Sequence, residues 1–379
     1  MSTAASGDVQ GCVLTPEGFV RGRLRWAEGR IVAIEGEPVD EATALADPLP
    51  RVLPGFIDLH VHGGGGADTM DGGDAVATVA KAHARHGTTA LLATTLTAPR
   101  AEIELALRAL APQLQQRVPG AARVLGVHLE GPYISPDRLG AQPAFTAVAT
   151  VDEVLALHAI APLALVTVAP ELPGHLALIK ALHARGLRVQ IGHSNGTYED
   201  GVAALRAGAC GFTHLFNAMS GLHHRSPGMV GAALAHADAA EIIPDLVHVH
   251  PGAIRAALRA IPRLYCVSDA TAASGMPDGE YRLGQQRVHK CLGAVRLADG
   301  TLAGSALTLD QALRNLVQLG LGLADASRRV STLAADHLGL AERGRLVPGA
   351  HADLVCLSRE LHVTDVFVEG ERIDLADAS

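Results

Sequence analysis

Eight apolar runs, most of them followed by a stretch of helical character, constrain this chain more than any other feature. They are RVLPGFIDLHVH (51–62), TTALLATT (88–95), RVLGVHLEGP (123–132), LALVTVAP (163–170), LRVQIGHS (187–194), CGFTHLFN (210–217), AEIIPDLVHVH (240–250) and RLYCVSDA (263–270). Runs that stay apolar without alternating belong to strands covered on both faces, the condition of a parallel sheet packed under helices. Helix-like segments at 73–86, 100–116, 151–160, 174–185, 198–207 and 251–260 supply the cover. Eight such units over about 250 residues predict an α/β fold, a closed TIM-like (β/α)8 barrel. The sixth unit is the weakest, because the segment 220–237 starts as loop and ends as a short helix.

Both chain ends read differently. The first fifty residues are short strands closing on Gly or Pro, and the tail from 344 to 373 has the same style. The expected organisation is a small β-sandwich built from 1–51 and 346–379 beside a barrel over 52–345. A Gly-rich excursion (271–303) and two helices (307–319 and 324–338) complete the barrel part.

Composition narrows the function classes. Of 379 residues, 48% are hydrophobic, only 3% are aromatic and the net charge is -8, so the core is aliphatic and no basic surface recruits nucleic acid. Five cysteines, widely spaced and without a C-x-x-C pair, suggest a reduced, cytoplasmic protein. No signal-like start and no run of about 18 apolar residues suggests a membrane or secretion route. Nineteen histidines stand against three lysines, which raises the question of a metal.

In a (β/α)8 barrel, chemistry gathers at the C-terminal strand ends. His60 and His62 end the first run, with i, i+2 spacing that puts both rings on one face. Glu130 ends the third, His193 the fifth, His214 the sixth and Asp269 the eighth, and His248 and His250 lie near the end of the seventh. A lone strand histidine is usually a packed residue. A set of imidazoles and carboxylates after apolar runs would be costly to bury without a shared purpose, and a divalent cation supplies one. Nitrogen and oxygen donors without Cys suit Zn, Fe(II), Mn or Co. Asp58 could stand behind the ligands or simply bind backbone, and His128 could orient Glu130. The remaining histidines fall on presumed helix faces or loops. The tetraglycine 63–66 lacks the setting of a dinucleotide loop and suits close backbone passage past a pocket.

LPGFIDLHVHGGGG (53–66) resembles the first-strand signature of the amidohydrolase superfamily. The segments GVHLEGPYISPDRLGAQ (126–142), QIGHSNGTY (190–198), FTHLFNAMSGLHHRSPGMVGA (212–232), VSDATAASG (267–275) and LAGSALTLDQALRN (302–315) narrow it to the N-acetylglucosamine-6-phosphate deacetylase family. The resemblance implies a metal-dependent barrel enzyme that hydrolyses the acetamide of a phosphorylated amino sugar. The branch that bridges two metals with a carboxylated lysine on the fourth strand does not fit, since the fourth run has no Lys.

By resemblance, Glu130, His193 and His214 are metal ligands and Asp269 is the catalytic carboxylate. His60 and His62 make a second ion sharing Glu130 plausible, giving one or two ions, with zinc first and iron, manganese or cobalt as alternatives. Asn217 and Ala218 correspond to phosphate-holding positions, and Arg225 to an arginine reaching the phosphate from a neighbouring subunit, which implies a homodimer. His248 corresponds to a sugar contact, and Leu302, Ala303 and Gly304 to a loop closing on substrate. After the HLEGP loop the chain has Gly140, Ala141 and Gln142, with Gln142 where many relatives carry a substrate-contacting His. Pro244, Asp245 and Leu246 likewise replace a common Ala-Asp-Gly. These departures leave room for another N-acyl amino sugar or an N-acyl amino acid as substrate, and a non-catalytic scaffold is the reading from a different class.

Overall fold

The computed structural model describes residues 6–376. Eight parallel strands follow one another in chain order: Phe56–Val61, Thr88–Thr94, Arg123–Glu130, Leu163–Val168, Arg188–Ile191, Gly211–Phe212, Ala239–Ile242 and Arg263–Cys266. The first six form one sheet and the last two pair with each other. Backbone bonds span both gaps, from Leu215 N–H to Glu241 O (2.9 Å) and from Asp269 N–H to His60 O (2.9 Å), and Val61 bridges Ala270. The eighth strand thereby meets the first, and the sheet curls into the expected barrel.

Seven helices pack in the connections that precede the eighth strand, Ala75–Ala84, Arg100–Gln115, Val151–Ile160, His175–His183, Tyr198–Ala207, Gly228–His236 and Pro251–Ala260, and Leu309–Gln318 lies beyond it. Their apolar faces and the aliphatic strands share one large core. Capping chemistry fixes individual starts. Thr197 and Asp200 form a capping box at Tyr198, and Thr150 accepts the Glu153 N–H before Val151. Each connection returns the chain to the bottom of the barrel, so every strand delivers its C-terminal end to the same rim.

Both chain ends join one seven-stranded sheet that takes Gly7–Thr15, Gly18–Ala27 and Arg30–Val39 from the first fifty residues and Leu354–Leu357, Val363–Val368 and Glu371–Arg372 from the tail. The sheet closes over a second core containing Val13, Leu24, Trp26, Ile31 and Leu354, and Arg30 bridges His351. Arg51–Pro54 lies at its centre, between the two sets of strands. The run 51–62 is therefore two strands, divided at Gly55, whose missing Cβ leaves room for the Thr89 side chain 2.3 Å from where a Cβ would sit.

Three other readings change in detail. The seventh run stops at Ile242, because Pro244 cannot donate to a ladder, so His248 lies in a loop and His250 caps the helix at Pro251. The excursion 271–303 contains most of a four-stranded antiparallel sheet of Gly279–Leu283, Gln286–Cys291, Ala294–Arg296 and Leu302–Ser305. The helix read over 324–338 breaks at Ser331, giving Leu323–Val330 and Thr332–Leu338. No helix among the described residues is long and apolar enough to cross a membrane.

Candidate active site

The strand ends bring six side chains to one point. Glu130 Oε1 lies 2.9 Å from His214 Nε2 and 3.2 Å from His193 Nε2, while its Oε2 lies 3.1 Å from His62 Nε2. Asp269 Oδ1 stands 3.3 Å from His62 Nε2 and 3.5 Å from His60 Nε2. Two groups result, Glu130 with His193 and His214, and His60 with His62 and Asp269, and Glu130 reaches into both. All six residues are buried.

The backbone at these positions is unusual for residues with a Cβ. His193, His214, Ala218 and Asp269 have φ of 46°, 27°, 50° and 51°. Left-handed conformations of this kind cost of order 1 kcal/mol or more each and persist where surrounding structure enforces them. His193, His214 and Asp269 each lie within three residues of a strand end, and the turn there brings their side chains together at the rim.

The donor chemistry fits a divalent cation. His60 and His62 face each other through Nε2 atoms 3.2 Å apart, and His193 and His214 through Nε2 atoms 3.1 Å apart. Two nitrogen lone pairs at that separation repel unless a proton or a cation lies between them. Burial opposes charge on His62, yet its hydrogen bonds to Asp269 and Glu130 raise its imidazolium to about 9. Burial likewise opposes ionisation of Glu130, but His60 and His193 hold it well below the usual carboxylate range. A divalent cation replaces those protons with one compact charge, and nitrogen and carboxylate donors without sulfur suit the borderline metals.

Surrounding groups fix the cluster. His193 Nδ1 lies 2.8 Å from Arg138 O, and His60 Nδ1 lies 3.0 Å from Glu241 Oε2. Among the described residues, Nδ1 of His62 and of His214 has no hydrogen-bond partner. Gln142 donates to Glu130 Oε2 at 2.6 Å and accepts the Thr97 N–H at 2.7 Å. Its oxygen is thus occupied, and only its second amide hydrogen is left to offer a substrate. Asp58 turns out to bind backbone, accepting from His60 and Ser268 N–H groups, and burial pushes its carboxyl up to about 7. His128 does not orient Glu130. It bonds Leu59 O and Thr167 Oγ1 instead, and stacks edge-on against His60.

A cavity of about 240 Å³ opens onto these groups. Ala141, Gln142, Asn217, Ala218, His248, Leu302 and Gly304 line it together with His62, Glu130, His193, His214 and Asp269. His248 is braced by Asp245, with Nδ1 2.6 Å from Oδ2. Ala303 is fully buried behind its two neighbours in the Leu302–Ser305 strand and does not line the cavity. Arg225 does not reach the cavity of its own chain. It sits exposed on the loop bridged by His223 and Ser226, with Nη1 2.8 Å from His224 Nε2. Glu241 is the participant that the sequence reading missed. Its signal was an acid inside an apolar run, at AEII, where burial demands a partner.

The sequence matches the amidohydrolase family over residues 51–373. It is 42% identical over 369 residues to an N-acetylgalactosamine-6-phosphate deacetylase of Escherichia coli O157:H7, covering 95% of this chain and 97% of that one. It is 40% identical to an N-acetylglucosamine-6-phosphate deacetylase of Vibrio furnissii, covering 91% and 88%. Among solved structures, a mutant N-acetyl-D-glucosamine-6-phosphate deacetylase of Mycobacterium smegmatis in complex with N-acetyl-D-glucosamine-6-phosphate superposes with a TM-score of 0.88, at 33% identity, covering 97% of this chain and 99% of that one. The enzyme of that name from Thermotoga maritima also gives 0.88, at 31% identity and the same coverage. With its barrel, its rim of histidines and carboxylates and these similarities, the chain belongs to the amidohydrolase family, in the branch of amino-sugar-6-phosphate deacetylases.

Proposed function

We propose that this chain hydrolyses the acetamide of N-acetyl-D-glucosamine 6-phosphate to D-glucosamine 6-phosphate and acetate in amino-sugar catabolism. The observation that carries the reading is the convergence of Glu130, His193, His214, His60, His62 and Asp269 beside a cavity sized for one sugar phosphate.

Glu130, His193 and His214 would hold one cation and His60 and His62 a second, with zinc the first candidate and iron, manganese or cobalt the others. The chemistry supplied by such a cation when bound is polarisation of the amide carbonyl and acidification of a water. Asp269 Oδ1, facing the same point, takes the proton of the attacking water and passes it to the departing amine nitrogen, so that acetate and the free amine leave together. His248, held by Asp245, contacts the sugar. Leu302 and Gly304 cover it on one side and exclude water, with Ala303 fixing the strand behind them. Asn217 and the Ala218 backbone receive the phosphate.

Arg225, exposed on its own chain, serves the cavity of a second copy, which makes the active form a homodimer. A planar guanidinium with five donors suits a phosphate better than an ammonium does. Five free cysteines support a reducing, cytoplasmic setting. The test is acetate release from N-acetylglucosamine 6-phosphate with and without chelator. Release that ignores the chelator, or no release at all, overturns the proposal. The 42% identity to an N-acetylgalactosamine-6-phosphate deacetylase favours one second reading, the C4 epimer as substrate. Comparing kcat/KM for the two epimers decides between them.

A further inference from the structure

Below the ligand cluster the barrel interior carries a polar relay that the proposed reaction does not use. Glu241, fully buried on the seventh strand, is its centre. One oxygen, Oε2, lies 3.0 Å from Nδ1 of His60 and accepts the backbone N–H of His214 at 3.2 Å. The Tyr265 hydroxyl donates to the other oxygen at 3.4 Å, and that hydroxyl accepts from Gln190 Nε2 at 2.6 Å. A single carboxylate therefore grips one residue from each of the two ligand groups. A carboxylate oxygen facing His60 Nδ1 accepts a proton from it, which leaves the Nε2 lone pair aimed at His62 and Asp269.

We propose that Glu241 is a positioning residue that locks His60 in its ligating tautomer and so creates the second ion position. The inference rests on the metal-dependent reading above and deepens it. A carboxylate serving only to brace Tyr265 and the strand backbone would leave ion uptake unchanged. One acting through His60 weakens uptake at that position alone, by the 10- to 100-fold typical of partners that orient a ligating histidine.

The experiment is calorimetric titration of zinc into chelator-stripped full-length protein, for wild type, Glu241→Leu, Glu241→Gln, His60→Ala and the double variant His60→Ala with Glu241→Leu. Circular dichroism checks that each is folded. Expected are two zinc ions in wild type, and in Glu241→Leu one affinity lowered about 10- to 100-fold with the other within about threefold. Glu241→Gln loses less, because its amide oxygen can still accept from Nδ1. In the His60→Ala background, Glu241→Leu has no further effect. Unchanged zinc affinity in Glu241→Leu, an additive loss in the double variant, or a single wild-type ion indifferent to His60→Ala each overturns the proposal. Should Glu241→Leu not fold, the same cycle is run with Glu241→Gln, whose loss must also vanish without His60. Zinc uptake is read without substrate, so wild type that binds zinc but releases no acetate counts against the deacetylase reading alone. Wild type that takes up neither zinc nor iron, manganese or cobalt overturns both.

Discussion

Asp269 stands at the end of the eighth strand with φ of 51° and one carboxylate oxygen within 3.5 Å of both first-strand histidines. In the proposed reaction that oxygen takes the proton of the attacking water. Replacing it by an amide keeps the shape and removes the base. Asp269→Asn is therefore expected to lower kcat by about 10²- to 10⁴-fold while metal content, read by elemental analysis, stays near wild type. Turnover within a few-fold of wild type would remove Asp269 from its proposed role. Gln142 makes a different kind of prediction. It joins the Thr97 N–H to Glu130 and is only 7% exposed. Gln142→Ala leaves a buried N–H and a buried carboxylate oxygen short of partners, at a cost of about 1–3 kcal/mol. Chemical denaturation measures that cost directly, and a loss below about 0.5 kcal/mol would mean that water replaces the amide.

The loop at 220–226 follows the shortest barrel strand. It leaves the sixth strand after only Gly211–Phe212, because His214 and Phe216 turn out of the ladder with φ of 27° and 82°. If Arg225 crosses to a second copy, Arg225→Ala raises KM for the 6-phosphate substrate by about tenfold or more and leaves the unphosphorylated sugar almost untouched. Mixed dimers with Asp269→Asn should then regain part of the activity, and no recovery after verified subunit exchange would place the arginine in its own site. Elements like this one show what the sequence could and could not convey. The eight barrel strands were readable because buried parallel strands are apolar on both faces, and the clustered histidines and carboxylates because polar groups interrupt such runs at their ends. The four strands between Gly279 and Ser305 were not, because they are short, alternate exposed with buried residues and are punctuated by Gly284, Gly293 and Gly300. Leu302 to Gly304 therefore read as loop, although they form the last strand of that sheet. Glu241 escaped notice for a different reason. It stands near the start of its run and not at the end where the candidate residues were sought, and only the three-dimensional meeting with His60 shows what the acid serves.

Across the whole molecule, the sheet made from both chain ends is fastened to the barrel by an ionic cluster centred on Glu369. Arg123, at the start of the third barrel strand, holds both of its oxygens at 2.9 Å, Arg117 approaches at 3.3 Å, and Arg343 pairs with both Glu369 and Asp353. Burial opposes the charge on Glu369, but Arg123 and Arg343 outweigh it and hold the carboxyl at about 2, against an ordinary value of 4.5. A depressed carboxyl contributes stability that is fully present above the unfolded value and is lost as pH falls through the folded one. The gap corresponds to about 3 kcal/mol, retained above pH 4.5 and lost progressively toward pH 2. Glu369→Gln should then melt about 5 °C below wild type at pH 7, and the difference should shrink as the pH is lowered from 4.5 toward 3. A difference independent of pH would mean that the side chain acts through packing. The third strand carries Arg123 at its start and Glu130 at its end, eight residues that run from the interdomain clasp to the ligand rim. Because a β-strand between fixed neighbours is stiff, loosening the clasp should lower the melting temperature without changing kcat at 25 °C. A parallel fall in kcat would show that the attached sheet also sets the position of Glu130.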